Sequence, residues 1–334
     1  MSSWNIAVVG ASGQVGSALV ELLQHSTLSI NEIGLIGSDN SEGDNVRVLG
    51  KNITINNINT TDWSHYHVAF FAVNQTISQK YVRTAAESGC IVIDASGAFA
   101  QEDNIPLILP RVNDYLLADF RNENIIAVAN PIVSQSLRVI STLTDIQQLT
   151  QLHITNLVPA SFYGKSSVEQ LASQSARLLN GLPVENELFN KQMAFNVLPV
   201  NNELADEMII VEEIRKITGD YQLSINVDSI LVPVFYGLTQ SLTFSSSVPL
   251  NIDHHYDNNK AIQYGVDFME SDYPTPVTQV NIEQEGLHKI HLADVRYGYG
   301  SPDQIKCISV SDNIRYLGAQ ILLETAEKLL NEYL

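Results

Sequence analysis

Along the first third of the chain, short apolar, β-branched runs alternate with longer segments whose apolar residues recur every three or four positions. Ile6 to Val9, Ile33 to Gly37, Val68 to Val73, Cys90 to Ile93 and Ile125 to Ala129 read as strands. Gly13 to Gln24 and Ser78 to Glu87 read as helices. Such alternation predicts parallel βαβ units with helices on both faces of one sheet, a doubly wound α/β domain.

From about Pro131 the pattern changes. Helical periodicity at Val133 to Leu143 and Ser166 to Asn180 gives way to β-rich segments at Asp228 to Val234, Gln240 to Ser247, Gln279 to Glu283 and Lys289 to Arg296. These predict an antiparallel sheet with one solvated face, hence a second, α+β domain. Gln304 to Val310 reads as a strand and Arg315 to Tyr333 as one amphipathic helix, whose apolar stripe includes Leu317, Ile321, Leu322, Ala326, Leu329 and Leu330. That helix lacks a partner in its own segment and is expected to pack back on the first domain.

The length of 334 residues suits about two domains of roughly 150 residues each. With 45% hydrophobic and 16% charged residues, the composition is that of a folded soluble chain. Lys+Arg 18 against Asp+Glu 37 gives a net charge of −19, which repels phosphodiester backbones and anionic lipid and sets the chain against nucleic-acid and membrane partners. The start, Met1-Ser2-Ser3-Trp4-Asn5, has neither a cationic export segment nor a long apolar run, so the expected address is cytoplasmic. The two cysteines, Cys90 and Cys307, each lie in an apolar run and read as buried strand residues rather than a disulfide.

Gly10-Ala11-Ser12-Gly13-Gln14-Val15-Gly16 follows the first strand and opens the first helix. Glycines there permit a tight turn, close approach of a pyrophosphate to the helix N-terminus, and close packing of helix on sheet. The dinucleotide-binding candidates are therefore Gly10, Ser12, Gly13, Gln14, Val15 and Gly16, joined by Ser38 and Asp39 after the second strand. The loop Ser38-Asp39-Asn40-Ser41-Glu42-Gly43-Asp44 carries carboxylates and no cation. It is compatible with NAD, whose ribose hydroxyls a carboxylate accepts, and set against NADP, whose 2′-phosphate it repels.

Taken in order, several segments resemble the aspartate-semialdehyde dehydrogenase family along nearly the whole chain. They are the glycine loop, Val92-Ile93-Asp94-Ala95-Ser96-Gly97-Ala98-Phe99, Ala129-Asn130-Pro131, Ala194-Phe195-Asn196-Val197-Leu198-Pro199, Val232-Pro233-Val234, Tyr273-Pro274-Thr275-Pro276 and Val310-Ser311-Asp312-Asn313. The resemblance implies a Rossmann-like cofactor domain over residues 1–129, completed by the C-terminal segment 304–334. It also implies a central dimerisation-type domain over 130–303, a homodimer, and a place in amino-acid biosynthesis.

In that family a cysteine thiolate attacks the aldehyde, a histidine manages the proton, hydride passes to NADP and phosphate releases the acyl-enzyme. Carried over residue by residue, the cysteine position is held by Val133, the glutamine position by Val158 and the histidine position by Leu238. The family's charged positions fall at Ala100, Leu231 and near Ile209, and its Lys-Gly turn near the nicotinamide falls at Tyr316-Leu317, where added bulk would crowd the ring. No catalytic residue of the family is retained on this reading. The resemblance is accordingly to the noncatalytic Usg-type paralogues, acting as NAD-binding or dimerisation modules. Two alternatives stand beside it: an active NAD(P)-dependent oxidoreductase on the aldehyde of a semialdehyde, and a regulatory heterodimer partner of an active dehydrogenase.

Ser134, one residue past the lost nucleophile, reads as a helix N-cap. Asp253, His254, His255 and Asp257 read as a solvated turn, and His288, His291 and Asp294 as an ordinary strand, so no metal site is expected.

Overall fold

The computed structural model describes residues 3–186, 188–200, 205–249, 258–269, 273–277 and 289–334. The chain is a mixed α/β protein in two compact units, one comprising residues 1–130 and 317–334, the other residues 131–316.

The first unit is built on an eight-stranded sheet. Its strands are β1 (Trp4–Val9), β2 (Ile30–Gly37), β3 (Asn45–Val48), β4 (Lys51–Asn57), β5 (Val68–Phe71), β6 (Ile91–Asp94), β7 (Leu107–Ile108) and β8 (Ile125–Val128), in the order β3-β4-β2-β1-β5-β6-β8-β7. All neighbours run parallel except the β3–β4 hairpin. The central parallel strands β5, β6 and β8 are apolar and buried throughout, apart from the Asp94 that ends β6, as sheets with helices on both faces require, whereas β4 at the margin is largely polar and exposed. Helix α1 (Gln14–Leu23) follows β1, and α2 (Gln75–Glu87) follows β5 with Asn74 as its N-cap. Because β1 pairs with β2 on one side and β5 on the other, the chain changes direction across the sheet at β1. Such a switch point opens a crevice at the carboxyl ends of the strands.

The second unit holds a seven-stranded sheet. It contains β9 (Leu149–Val158), β10 (Leu198–Pro199), β11 (Ser224–Leu231), β12 (Leu238–Ser246), β13 (Val266–Phe268), β14 (Ile290–Gly298) and β15 (Ser301–Ser311), ordered β10-β11-β9-β12-β15-β14-β13. Its centre is antiparallel, as expected, but β11 runs parallel to β9 and β13 parallel to β14. Alternation along one strand reports burial of its faces and says nothing of its neighbour's direction. Helix α3 (Pro131–Leu143) lies on the inner face, and α4 (Lys165–Leu179), α5 (Glu207–Thr218) and α6 (Asn258–Tyr264) complete the unit. Leu238, Gln240, Leu242 and Phe244 of β12 face α3 and are buried, whereas Thr239, Ser241, Thr243 and Ser245 point outward and are half-buried.

Two expectations change here. Residues 304–311 belong to β15 of the second sheet, where they pair with β12 and β14, so the segment returning to the first unit starts only at Leu317. Periodicity identifies this strand, but its sheet is chosen by long-range hydrogen bonding. The C-terminal helix is also interrupted: Arg315–Gln320 forms a π turn before α7 (Ile321–Glu332). Helix α7 packs on the first unit, where Glu324 accepts from Arg111 at 2.7 Å and Glu327 from the Thr27 hydroxyl at 3.1 Å.

Candidate functional site

The glycine loop sits at the switch point. Gly10 has φ +84, and its amide donates to Ile36 O at 2.9 Å. A Cβ at Gly10 would lie 2.4 Å from Ala72 O, one at Gly16 2.1 Å from Gly10 O, and one at Gly13 3.1 Å from Gly10 O. A side chain is thus excluded at Gly10 and Gly16 and crowded at Gly13, and no side chain caps the N-terminus of α1. Ser12 and Gly13 are exposed, Gln14 and Val15 half-buried, and Gly16 packs the helix on β1. These residues fit a dinucleotide: the helix start is a ready anion site for a pyrophosphate.

Beside it, Ser38 O accepts from the Ser41 and Glu42 amides at 3.0 Å, which curls the loop after β2 and leaves Ser38 and Asp39 exposed. Register places Asn57, the last residue of β4, opposite Gly37. From there its side-chain amide donates to Asp39 Oδ1 at 2.6 Å and to Glu42 Oε2 at 2.8 Å. Asn59 adds a longer contact to Asp39 Oδ1 at 3.4 Å.

At the end of β6, Asp94 is fully buried and accepts from the hydroxyls of Ser78 at 2.6 Å and Ser96 at 2.7 Å. Burial pushes its carboxyl up to about 6 in spite of these donors. Ala100, where a charged family position is expected, is buried in the segment after β6.

The other residues expected at family positions, Leu317 apart, lie in the second unit. Val158 ends β9 and pairs with Leu231, which ends β11; Leu238 begins β12. Val133 lies in the first turn of α3. Gln135 donates to Leu238 O at 3.4 Å and Ser309 Oγ at 2.9 Å, while Gln240 donates to Ile132 O at 3.0 Å, so α3 is stitched onto the start of β12. Val133, Val158 and Leu238 have no exposed surface and Leu231 has 2%. This neighbourhood is packed apolar core crossed by neutral amides. Ile209 is half-buried on α5.

Tyr316 is also engaged inside the second unit. Its hydroxyl accepts from Arg138 Nη1 at 2.9 Å and donates to Gly265 O at 3.2 Å. It is 3% exposed. Leu317 is buried as well. Ser134 is a correction: α3 starts at Pro131, so Ser134 is a fully buried interior residue and not the cap. Pro131 starts the helix because its fixed φ and missing N–H suit the first turn.

Sequence reasoning passes over the polar set that this unit does bring together. Asn313 Oδ1 accepts from the Gly237 amide at 3.2 Å and lies 3.1 Å from the Ser161 hydroxyl, with both residues buried. The quoted Ser311-Asp312-Asn313 run is the available signal, but its partners lie 76 and 152 residues away.

Both cysteines are free and buried, Cys90 before β6 and Cys307 in β15, the latter strand now in the second unit. Burial pushes each thiol up to about 12. The Asp253-to-Asp257 cluster and His288, like the segment Gln279 to Glu283, fall outside the described residues. His291 pairs with Asp267 at 3.5 Å and Asp294 with Arg296 at 3.1 Å. Among the described residues no group of three or more His, Cys, Asp or Glu is placed to hold a metal ion, and no helix is long and apolar enough to cross a membrane.

Residues 5–120 match the family model of the semialdehyde dehydrogenase NAD binding domain, and residues 140–316 that of the semialdehyde dehydrogenase dimerisation domain. The chain belongs to the aspartate-semialdehyde dehydrogenase family. Among curated relatives, an aspartate-semialdehyde dehydrogenase from Shewanella sp. (strain DB6705) is 34% identical, the match covering 99% of this chain and 98% of the relative. A USG-1 protein homolog from Pseudomonas aeruginosa is 30% identical over 99% of this chain and 98% of its own. The crystal structure of aspartate semialdehyde dehydrogenase II from Vibrio cholerae, complexed with ASA, superposes with a TM-score of 0.93 at 32% identity, covering 100% of both chains. The semialdehyde dehydrogenase family thus supplies a cofactor domain and a dimerisation domain, and each corresponds to one unit of this fold.

Proposed function

We propose that this chain is a noncatalytic member of the aspartate-semialdehyde dehydrogenase family, a homodimer that binds NAD through its first unit. The observation that carries the loss of catalysis is the state of its thiols. The family's reaction needs a thiolate nucleophile beside a proton-handling group. This chain has only Cys90 and Cys307, both buried and both pushed up to about 12, so at neutral pH neither supplies a thiolate. Val133 and Leu238, at the family's cysteine and histidine positions, support the same reading, because hydrocarbon side chains in a packed core cannot form a thiohemiacetal or move a proton.

The cofactor reading rests on the excluded Cβ positions at Gly10 and Gly16, the uncapped start of α1, and the carboxylates after β2. When bound, the dinucleotide would place a hydride-accepting ring on the protein. This chain's own residues would hold the pyrophosphate on the α1 amides and the adenosine ribose at Asp39. The homodimer reading is supported by the outer face of the second sheet, where Leu157 stands beside Thr239 and Ile308 beside Ser241, all four partly exposed.

One competing reading is favoured by a specific observation. The names of the Shewanella and Vibrio relatives suggest an active dehydrogenase. A turnover assay with aspartate semialdehyde, phosphate and either NAD or NADP separates the two. The expected result is no reduced cofactor above the protein-free rate, with NAD binding measured calorimetrically on the same sample. Phosphate-dependent reduction of NADP would overturn the noncatalytic reading.

A further inference from the structure

Asn57 and the loop after β2 form a grip that the cofactor reading does not by itself require. Asn57 is 8% exposed and reaches Asp39 and Glu42 with one amide nitrogen, at 2.6 and 2.8 Å. A single neutral donor therefore draws two carboxylates together at the carboxyl end of β2. Neither has an ion-pair partner among the described residues, and Asp39 Oδ2 and Glu42 Oε1 accept no hydrogen bond there. Two like charges on a short loop would separate in water. The register that sets Asn57 opposite Gly37 holds them in place, and the carbonyl of the same amide accepts from Asn59 N at 2.9 Å, which fixes its orientation.

We infer that Asn57 is a positioning residue for cofactor selectivity. It presents Asp39 and Glu42 as a paired anionic rim that accepts the ribose hydroxyls of NAD and repels the 2′-phosphate of NADP. The inference rests on the NAD reading and adds the residue that makes the choice. A hydroxyl pair can donate to an oxygen that Asn57 leaves open, whereas a phosphate meets two uncompensated negative charges and no cation. Without the grip the carboxylates swing into solvent, where screening weakens both effects.

The test is calorimetric titration of the purified full-length protein with NAD and, separately, NADP, for wild type, Asn57→Ala and Glu42→Gln, with melting temperatures recorded. The wild type is expected to bind NAD at least about tenfold more tightly than NADP. Asn57→Ala is expected to lose most of that ratio, chiefly by weakening NAD about tenfold, the scale of one hydrogen bond to a charged group. Glu42→Gln is expected to tighten NADP by removing one of the two charges that its 2′-phosphate meets, and so to narrow the ratio. Equal weakening of both cofactors in Asn57→Ala would mark a merely structural residue and overturn the inference. Should Asn57→Ala fail to fold, an unchanged NADP affinity in Glu42→Gln would do the same. A wild type that binds NAD without preference overturns the selectivity inference and leaves the cofactor reading standing; one that binds neither overturns both.

Discussion

Arg138 Nη1 donates to the hydroxyl of Tyr316 at 2.9 Å across 178 residues of sequence, with the guanidinium carbon 5.6 Å from the Tyr316 ring centroid. Arg138 has no exposed surface, and taking one acceptor from a buried guanidinium is costly. Tyr316→Phe removes that acceptor and the donor to Gly265 O while keeping the ring. It should destabilise the protein by about 1–3 kcal/mol, read as a lower urea midpoint at unchanged slope. An unchanged midpoint would show the pair to be energetically silent.

The thiols give a second prediction. With both cysteines buried and both thiols pushed up to about 12, a thiol-specific chromogenic reagent should titrate neither in the native protein at neutral pH and both in guanidinium. Rapid reaction of one thiol under native conditions would remove the main support for the noncatalytic proposal.

Asp94 predicts a pH dependence. Its carboxyl rises from 3.8 to about 6 through burial, so the folded state holds the proton over a range in which the unfolded chain has released it. A raised carboxyl contributes stability that is fully present below about pH 4 and is lost as pH rises through about 6, a swing of up to about 3 kcal/mol. Asp94→Asn removes the titration. Denaturant unfolding across pH 4 to 7 should show wild type losing stability relative to Asp94→Asn as pH rises, and parallel profiles would count against the buried ionisation.

Ser241 lies at the centre of the outer face of the second sheet, paired with Thr155 of β9 and Ile308 of β15. Ser241→Arg places a charge there without touching the α3 side. If that face joins two copies, light scattering should find a dimer for wild type and a monomer for the variant, with the melting transition of the variant still cooperative. A wild-type monomer would refute the homodimer.

At Gly16 a methyl group would stand 2.1 Å from Gly10 O. Gly16→Ala must either move α1 away from β1 or deform the loop. The expected cost is about 2 kcal/mol or more, together with loss of NAD binding by calorimetry. Retained affinity would place the cofactor elsewhere.

How far the pattern alone reaches can be judged from particular elements. Strands β1, β2, β5, β6 and β8 and helices α1 to α4 are legible because buried strands demand β-branched runs and amphipathic helices a 3.6-residue repeat. Helix α5 is not marked by that reading, although its punctuation is present: Asp206 caps the Met208 and Ile209 amides, and Gly219 with φ +70 ends it. The glycine loop and the cysteine count are likewise plain in the chain, since they depend on residue type at a local spacing.

What no local pattern could supply is which distant groups meet. The assignment of β15 to the second sheet, the burial of Tyr316 against Arg138, the Ser161–Asn313 contact and the grip of Asn57 on Asp39 and Glu42 all join residues remote in sequence. Hydrophobic periodicity decides which side of an element turns inward, whereas inter-strand register and the packing of α3 decide what it finds there. The first is written in each segment, and the second exists only once the sheets have formed.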